Sequence, residues 1–148
     1  MTPDWLMWPR PPGAVDEKVF VVRCDGCQDC VNACPHLAIG RLDDSTPAMN
    51  PNKVPCHLCA EMPCVAACET GALLATPIEG VFMGIAEIDL ASCVVSMGPE
   101  CGACAVDCPN GSMRMVAGKP FVDSSRCMGC GLCRAACPVW DKAIKVIW

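Results

Sequence analysis

Sixteen cysteines fall into four groups of four along a chain of 148 residues, at the spacing of metal ligands. The last group, Cys127, Cys130, Cys133 and Cys137, is followed by Pro138 and reads C-x2-C-x2-C-x3-C-P. Three thiols two residues apart let a short loop wrap one iron–sulfur cube and offer a thiolate to each of three irons. The fourth follows after three more residues, where the chain is expected to turn into a helix and face a second cube, so that each group serves two cofactors. Pro138 suits a first helical turn, where its missing N–H is not needed.

Three other segments vary this theme. Cys24, Cys27, Cys30 and Cys34, with Pro35, repeat it unchanged. Cys56, Cys59, Cys64 and Cys68 widen the middle gap to four residues and place Glu69 where the others have proline. Cys93, Cys101, Cys104 and Cys108, with Pro109, open on a seven-residue gap that holds the turn pair Gly98-Pro99. All sixteen are therefore expected to ligate iron in four [4Fe–4S] clusters, with no cysteine left over. A disulfide framework belongs to short secreted chains, and the sequence shows no signal peptide. Zinc sites built only from cysteine ordinarily use two separated C-x-x-C pairs, not three successive cysteines plus a fourth. His36 and His57 stand beside cysteines, but each group already has four thiolates, which leaves the imidazoles to packing or hydrogen bonding.

The scaffold for these ligands is poor in large side chains, with three Phe, four Trp and no Tyr. Bound clusters are expected to staple so modest a core, and the nine methionines to fill irregular gaps around them. The formal charge is −5. Four clusters, each a core of about +2 with thiolates totalling about −4, would take the loaded chain to about −13. That charge argues against nucleic acid and anionic membranes, and for basic patches on other proteins. No transmembrane segment, Gly-rich phosphate loop, dinucleotide fingerprint or nucleophile–base pattern is recognisable, so no chemistry besides that of the clusters is expected.

Residues 1–18 read as an N-terminal arm holding Trp5, Trp8 and a Pro-Arg-Pro-Pro run, either loose or docked on a partner through its tryptophans. Residues 19–148 form the four-motif region, with cluster motifs at 24–35, 56–69, 93–109 and 127–138. Strands are expected at Val19–Val22, at Ala38–Leu42 and Pro47–Met49 around a polar turn, over roughly 80–88, and at Ala143–Ile147. Ser112–Val116 and Pro120–Val122 should make a compact hairpin. Two such units compose one ferredoxin-like βαββαβ module. The expected fold is thus α+β, two modules built around four clusters. The motifs could pair as neighbours, or the first with the fourth around the second and third; the short connections permit both.

The run Arg10-Pro-Pro-Gly-Ala14, the segment Pro55 to Cys64 with its Thr70-Gly-Ala-Leu73 tail, and the C-x7-C-x2-C-x3-C-P third motif together resemble the NapF/NapG type of ferredoxin, accessory proteins of the periplasmic nitrate reductase system. More loosely, the chain is similar to small four-cluster subunits of molybdenum and tungsten oxidoreductases such as aldehyde oxidoreductase. The resemblance implies an electron-transfer protein, not itself an enzyme, between a catalytic molybdenum or tungsten subunit and a second redox protein or flavin subunit. It also allows a maturation factor for a molybdenum enzyme such as nitrate reductase. With neither a signal peptide nor a twin-arginine pair, a cytoplasmic location is expected, with co-export alongside a partner as the alternative. Arg134 is the one cation inside any motif; Asp25 and Asp29, Glu61, and Asp107 occupy the others. The cluster held mainly by Cys127, Cys130 and Cys133 is therefore expected to have the highest potential.

Overall fold

The structure, a computed structural model, describes residues 8–148, so Trp5 lies outside the described residues. It is a mixed helix-and-strand fold of short pieces. The helices are α1 (Glu17–Arg23), α2 (Asp29–Ala33), α3 (Pro63–Ala67), α4 (Ala103–Val106) and α5 (Leu132–Ala136). The strands are β1 (Ile39–Arg41), β2 (Pro47–Met49), β3 (Ile85–Ile88), β4 (Met113–Val116), β5 (Lys119–Val122) and β6 (Ile144–Ile147). Among the described residues no helix is long and apolar enough to cross a membrane.

The second half runs β3-α4-β4-β5-α5-β6. β3 pairs antiparallel with β6, Ile85 opposite Ile147, and β4 pairs with β5, Met113 opposite Val122. The first half departs from that order. β1 and β2 pair, Ile39 opposite Met49, but the outer pair shrinks to a single antiparallel bridge between Ala14 and Leu73. α2 packs against α3, and α4 against α5.

The strand expected at Val19–Val22 is instead helical, inside α1. Asp16 caps that helix by accepting the Lys18 N–H, Glu17 stands in the first turn and Arg23 in the last. These cap and dipole contacts outweigh the strand preference of the valines. One apolar face suffices to anchor it: Phe20 is fully buried, while Val22 is largely exposed. Pro138 also differs from expectation. It follows Cys137, the C-cap of α5, so it stops a helix instead of opening one. Pro63 is the proline that opens a helix, at the start of α3.

Phe20, Met49, Leu58, Met62, Leu73 and Met83 build the core of the first half around Cys30, Cys56 and Cys64. That core also takes in Met128 and Cys130 from the fourth motif, so the halves share it. A smaller core around Ala86, Met113 and Ile144 encloses Cys104 and Cys133. Five of the methionines, Met49, Met62, Met83, Met113 and Met128, are buried fillers as their softness suits them to be.

The N-terminal segment is pinned to this core from Trp8 onward. Trp8 packs against Trp148 with ring centroids 5.5 Å apart. Arg10 is buried: its guanidinium grips Glu17 through two bonds of 2.6 and 3.0 Å, donates to the Thr46 hydroxyl and the Pro47 carbonyl, and lies 4.5 Å from the Phe20 ring centroid. Gly13 has φ +82°, and a side chain there would strike the Leu74 carbonyl. The Gly13 carbonyl in turn accepts the Leu74 N–H at 2.8 Å, and Val15 donates to Ala72.

Arg10→Ala would remove this anchor and leave Glu17 and Thr46 without their partner. Glu17 keeps partial contact with solvent, so the loss should fall below that of a fully buried pair, at about 2–4 kcal/mol. Thermal unfolding of the loaded protein should show a lowered midpoint. Arg10→Lys should recover only part of it, because an ammonium cannot reproduce the two-pronged bond to Glu17.

Candidate metal centres

Each cysteine group is folded by the same local device. A helix of four or five residues begins one residue before the third cysteine, so that the N-caps Gln28, Met62, Gly102 and Gly131 stand two positions before Cys30, Cys64, Cys104 and Cys133. Three of these caps are left-handed, which bends the chain sharply out of the cysteine loop. The fourth cysteine lies four residues after the third. Cys34, Cys68 and Cys137 are C-caps in extended conformation, and Cys108 follows its C-cap Asp107.

The third and fourth thiols of one group therefore end in different places. Cys34 joins Cys56, Cys59 and Cys64 around one cavity, here set II. Cys108 joins Cys127, Cys130 and Cys133 around another, set III. Cys137 joins Cys93, Cys101 and Cys104 around a further one, set IV. Cys24, Cys27 and Cys68 are the charged neighbours felt by Cys30, which defines set I. Neighbouring motifs thus exchange their fourth cysteines, first with second and third with fourth; the sequence had left this pairing open. Cys93, separated by the long gap, stands in set IV with the rest.

The thiols are free, with no disulfide among them. No three His, Cys, Asp or Glu side chains among the described residues are placed to hold a single metal ion. The sulfurs instead line the walls of cavities that contain no carboxylate. Four thiols around an otherwise largely apolar space are a donor set that fits an iron–sulfur cube.

Burial pushes the pKa of Cys30 up to about 11, and those of Cys56 and Cys133 up to about 12, with neighbouring thiolates adding to the effect. Metal ligation requires the thiolate, so loading these sites expels protons. Cys68 and Cys108 go the other way. Burial alone would raise them, but hydrogen bonds bring both below the ordinary value. Cys68 sits 3.6 Å from the Thr70 hydroxyl and accepts the Leu73 N–H at 3.4 Å. Cys108 sits 3.4 Å from the Ser112 hydroxyl and accepts the Met113 N–H at 3.3 Å. Thr70 and Ser112 were not singled out in the sequence, though a hydroxyl shortly after a fourth cysteine is a readable signal.

His36 and His57 stack face to face over set II, with ring centroids 3.6 Å apart. Burial and the neighbouring His36 both lower the pKa of His57. Arg134 donates to the carbonyls of Asn52 at 3.0 Å and Ile144 at 2.6 Å. The described residues give it no carboxylate partner, so its positive charge stands uncancelled beside Cys133. The largest recess, about 670 Å³, lies away from every cysteine. Its charged lining residues are Arg10 and Glu17, already paired with each other, and it offers no acid–base set.

Two family models described as 4Fe-4S binding domains match residues 23–44 and 118–139. The chain is 34% identical to the methylamine utilization ferredoxin-type protein MauM of Paracoccus denitrificans, over 93% of this chain and 70% of that protein. It is also 34% identical to the ferredoxin-type protein NapG of Escherichia coli, over 93% and 69%. The ferredoxin-type protein NapF of Escherichia coli matches at 29% over 88% and 80%.

Arg134→Gln should lower the potential of the cluster expected at set III. A unit charge about 7 Å away in an effective dielectric of about 20 is worth about 2 kcal/mol, or on the order of 50–100 mV for one electron. The check is an EPR-monitored redox titration of the loaded protein. An unmoved first-reduced signal would show that backbone hydrogen bonds, not this cation, order the potentials.

Proposed function

Because this chain belongs to the ferredoxin-type iron–sulfur proteins that include NapG and MauM, we propose that it holds four [4Fe–4S] clusters and relays single electrons between a catalytic oxidoreductase and a second redox protein. The observation that carries this reading is the exchange of fourth cysteines. Sixteen thiols resolve into four sets of four, with none left over.

When bound, such clusters supply one-electron chemistry. The chain's part is to hold, insulate and tune. Apolar walls exclude water, and N–H···S bonds from Ala38, Leu73, Ala86 and Met113 stabilise negative charge on sulfur. The acidic surface favours partners that present basic patches. A molybdenum or tungsten enzyme is the catalytic partner favoured by the resemblance to NapG. The equal likeness to MauM keeps the wider class, an oxidoreductase of any cofactor, as the core of the proposal.

The likeness to NapF supports a second reading, a maturation factor that assists loading of a molybdenum enzyme. The two differ in what they bind. A relay subunit co-purifies with the mature enzyme at constant stoichiometry, whereas a maturation factor binds the apo-enzyme alone.

Anaerobically purified protein is expected to contain about sixteen irons and sixteen acid-labile sulfides per chain. It should exchange electrons with viologen dyes while turning over no organic substrate. Saturation near twelve irons in intact protein would reject four clusters, and stoichiometric zinc would reject the reading altogether.

A further inference from the structure

The two halves meet at their cysteines. The Cys56 N–H, in set II, donates to the Cys130 carbonyl, in set III, at 2.8 Å. Beside it Met83 donates to the Met128 carbonyl, also at 2.8 Å. Gly129 lies so close to Gly84 that a Cβ on it would sit 2.5 Å from the Gly84 nitrogen and oxygen. A polar clasp closes the same junction. The Asn52 side chain donates to the Val146 carbonyl and accepts the Val146 N–H, at 2.9 and 2.8 Å, while Arg134 binds the Asn52 carbonyl. Asn52 therefore ties the loop ahead of Cys56 both to β6 and to α5, the helix that bears Cys133.

Within each half the exchanged cysteines already couple the sets. α2 runs from Cys30 of set I to Cys34 of set II, and α3 from Cys64 of set II to Cys68 of set I. α4 and α5 do the same for sets III and IV. Sets I and IV make no contact of this kind across the junction among the hydrogen bonds of the described residues.

We propose that the Cys56–Cys130 contact, held by the Asn52–Arg134 clasp, joins the four thiol sets into one unbranched series, I–II–III–IV, with sets I and IV as its ends. This rests on the four-cluster reading above and adds its order. Two separate two-cluster carriers on one chain would need no such contact. A series lets an electron received at one end leave at the other. Cys27, the one cysteine classed as exposed, lies at the set I end.

The order can be read magnetically, since neighbouring reduced clusters broaden and split each other's EPR signals and distant ones do not. Cys27→Ala removes an end at set I, and Cys101→Ala removes the end at set IV. In a series each leaves three clusters in contact, so the fully reduced variant should show no isolated, sharp spin-half signal. Cys59→Ala, which removes set II, should by contrast leave set I alone and give one such signal beside a coupled pair. An isolated signal from Cys27→Ala or Cys101→Ala would overturn the series, because it means that the halves do not communicate.

Iron analysis separates this from failure of the cluster reading. Each variant should lose about a quarter of the iron, and any other loss would overturn the ligand sets themselves. Asn52→Ala retains all sixteen thiols and gives an independent measurement should the cysteine variants fail to load. Collapse of its spectrum into two independent pairs at full iron content supports the clasp; a spectrum identical to the unaltered protein's overturns it.

Discussion

A helix of five residues with a thiol near its start and another at its end cannot serve one site without setting the second. That constraint governs the molecule. Cys30 and Cys34, Cys64 and Cys68, Cys104 and Cys108, Cys133 and Cys137 are each four residues apart, yet every pair is divided between two cavities. The division follows from backbone conformation: a sharp bend at the cap before the third cysteine, then an extended or terminal residue at the fourth. Side chains beyond the cysteines mostly fill space around this arrangement, which is why so few large residues suffice and why methionine takes a large share of the core.

Ligand spacing was legible because chemistry demands it, while the elements between ligands were legible only where local preference and burial agree. The hairpin of β4 and β5 and the ribbon of β1 and β2 lie where alternating or β-branched residues flank turns. Val19–Val22 misled for a physical reason: a run of valines with one phenylalanine satisfies a strand or one face of a helix, and Asp16 with Glu17 and Arg23 tips the balance. Pairing of the motifs was not legible at all. It depends on which short helices pack together, and α2 and α5 differ little in sequence from what either arrangement would accept. The clasp at Asn52 was equally hidden, since a lone asparagine before a cysteine loop carries no pattern.

Two features that marked the resemblance turn out to touch. The Arg10–Ala14 run and the Thr70–Leu73 tail meet through the Ala14–Leu73 bridge, the Val15–Ala72 hydrogen bond and the tight passage of Gly13 beside Leu74. Arg10 completes the joint by reaching α1 and the approach to β2. The N-terminal segment thus occupies the place that an outer strand holds in the second half. Its sequence signature reflects a structural job: closing the first half over sets I and II.

The junction between the halves has a different character from every other contact in the chain. Gly129 and Gly84 approach backbone to backbone, so what specifies the meeting is the lack of atoms. A methyl group, the smallest addition chemistry allows at Gly129, would collide with main chain that cannot rotate aside. Elsewhere the protein writes its instructions in sulfur, hydroxyl and guanidinium groups that a reader can weigh. Here the instruction is a veto, expressed as an empty position, and it is silent in any inventory of functional groups.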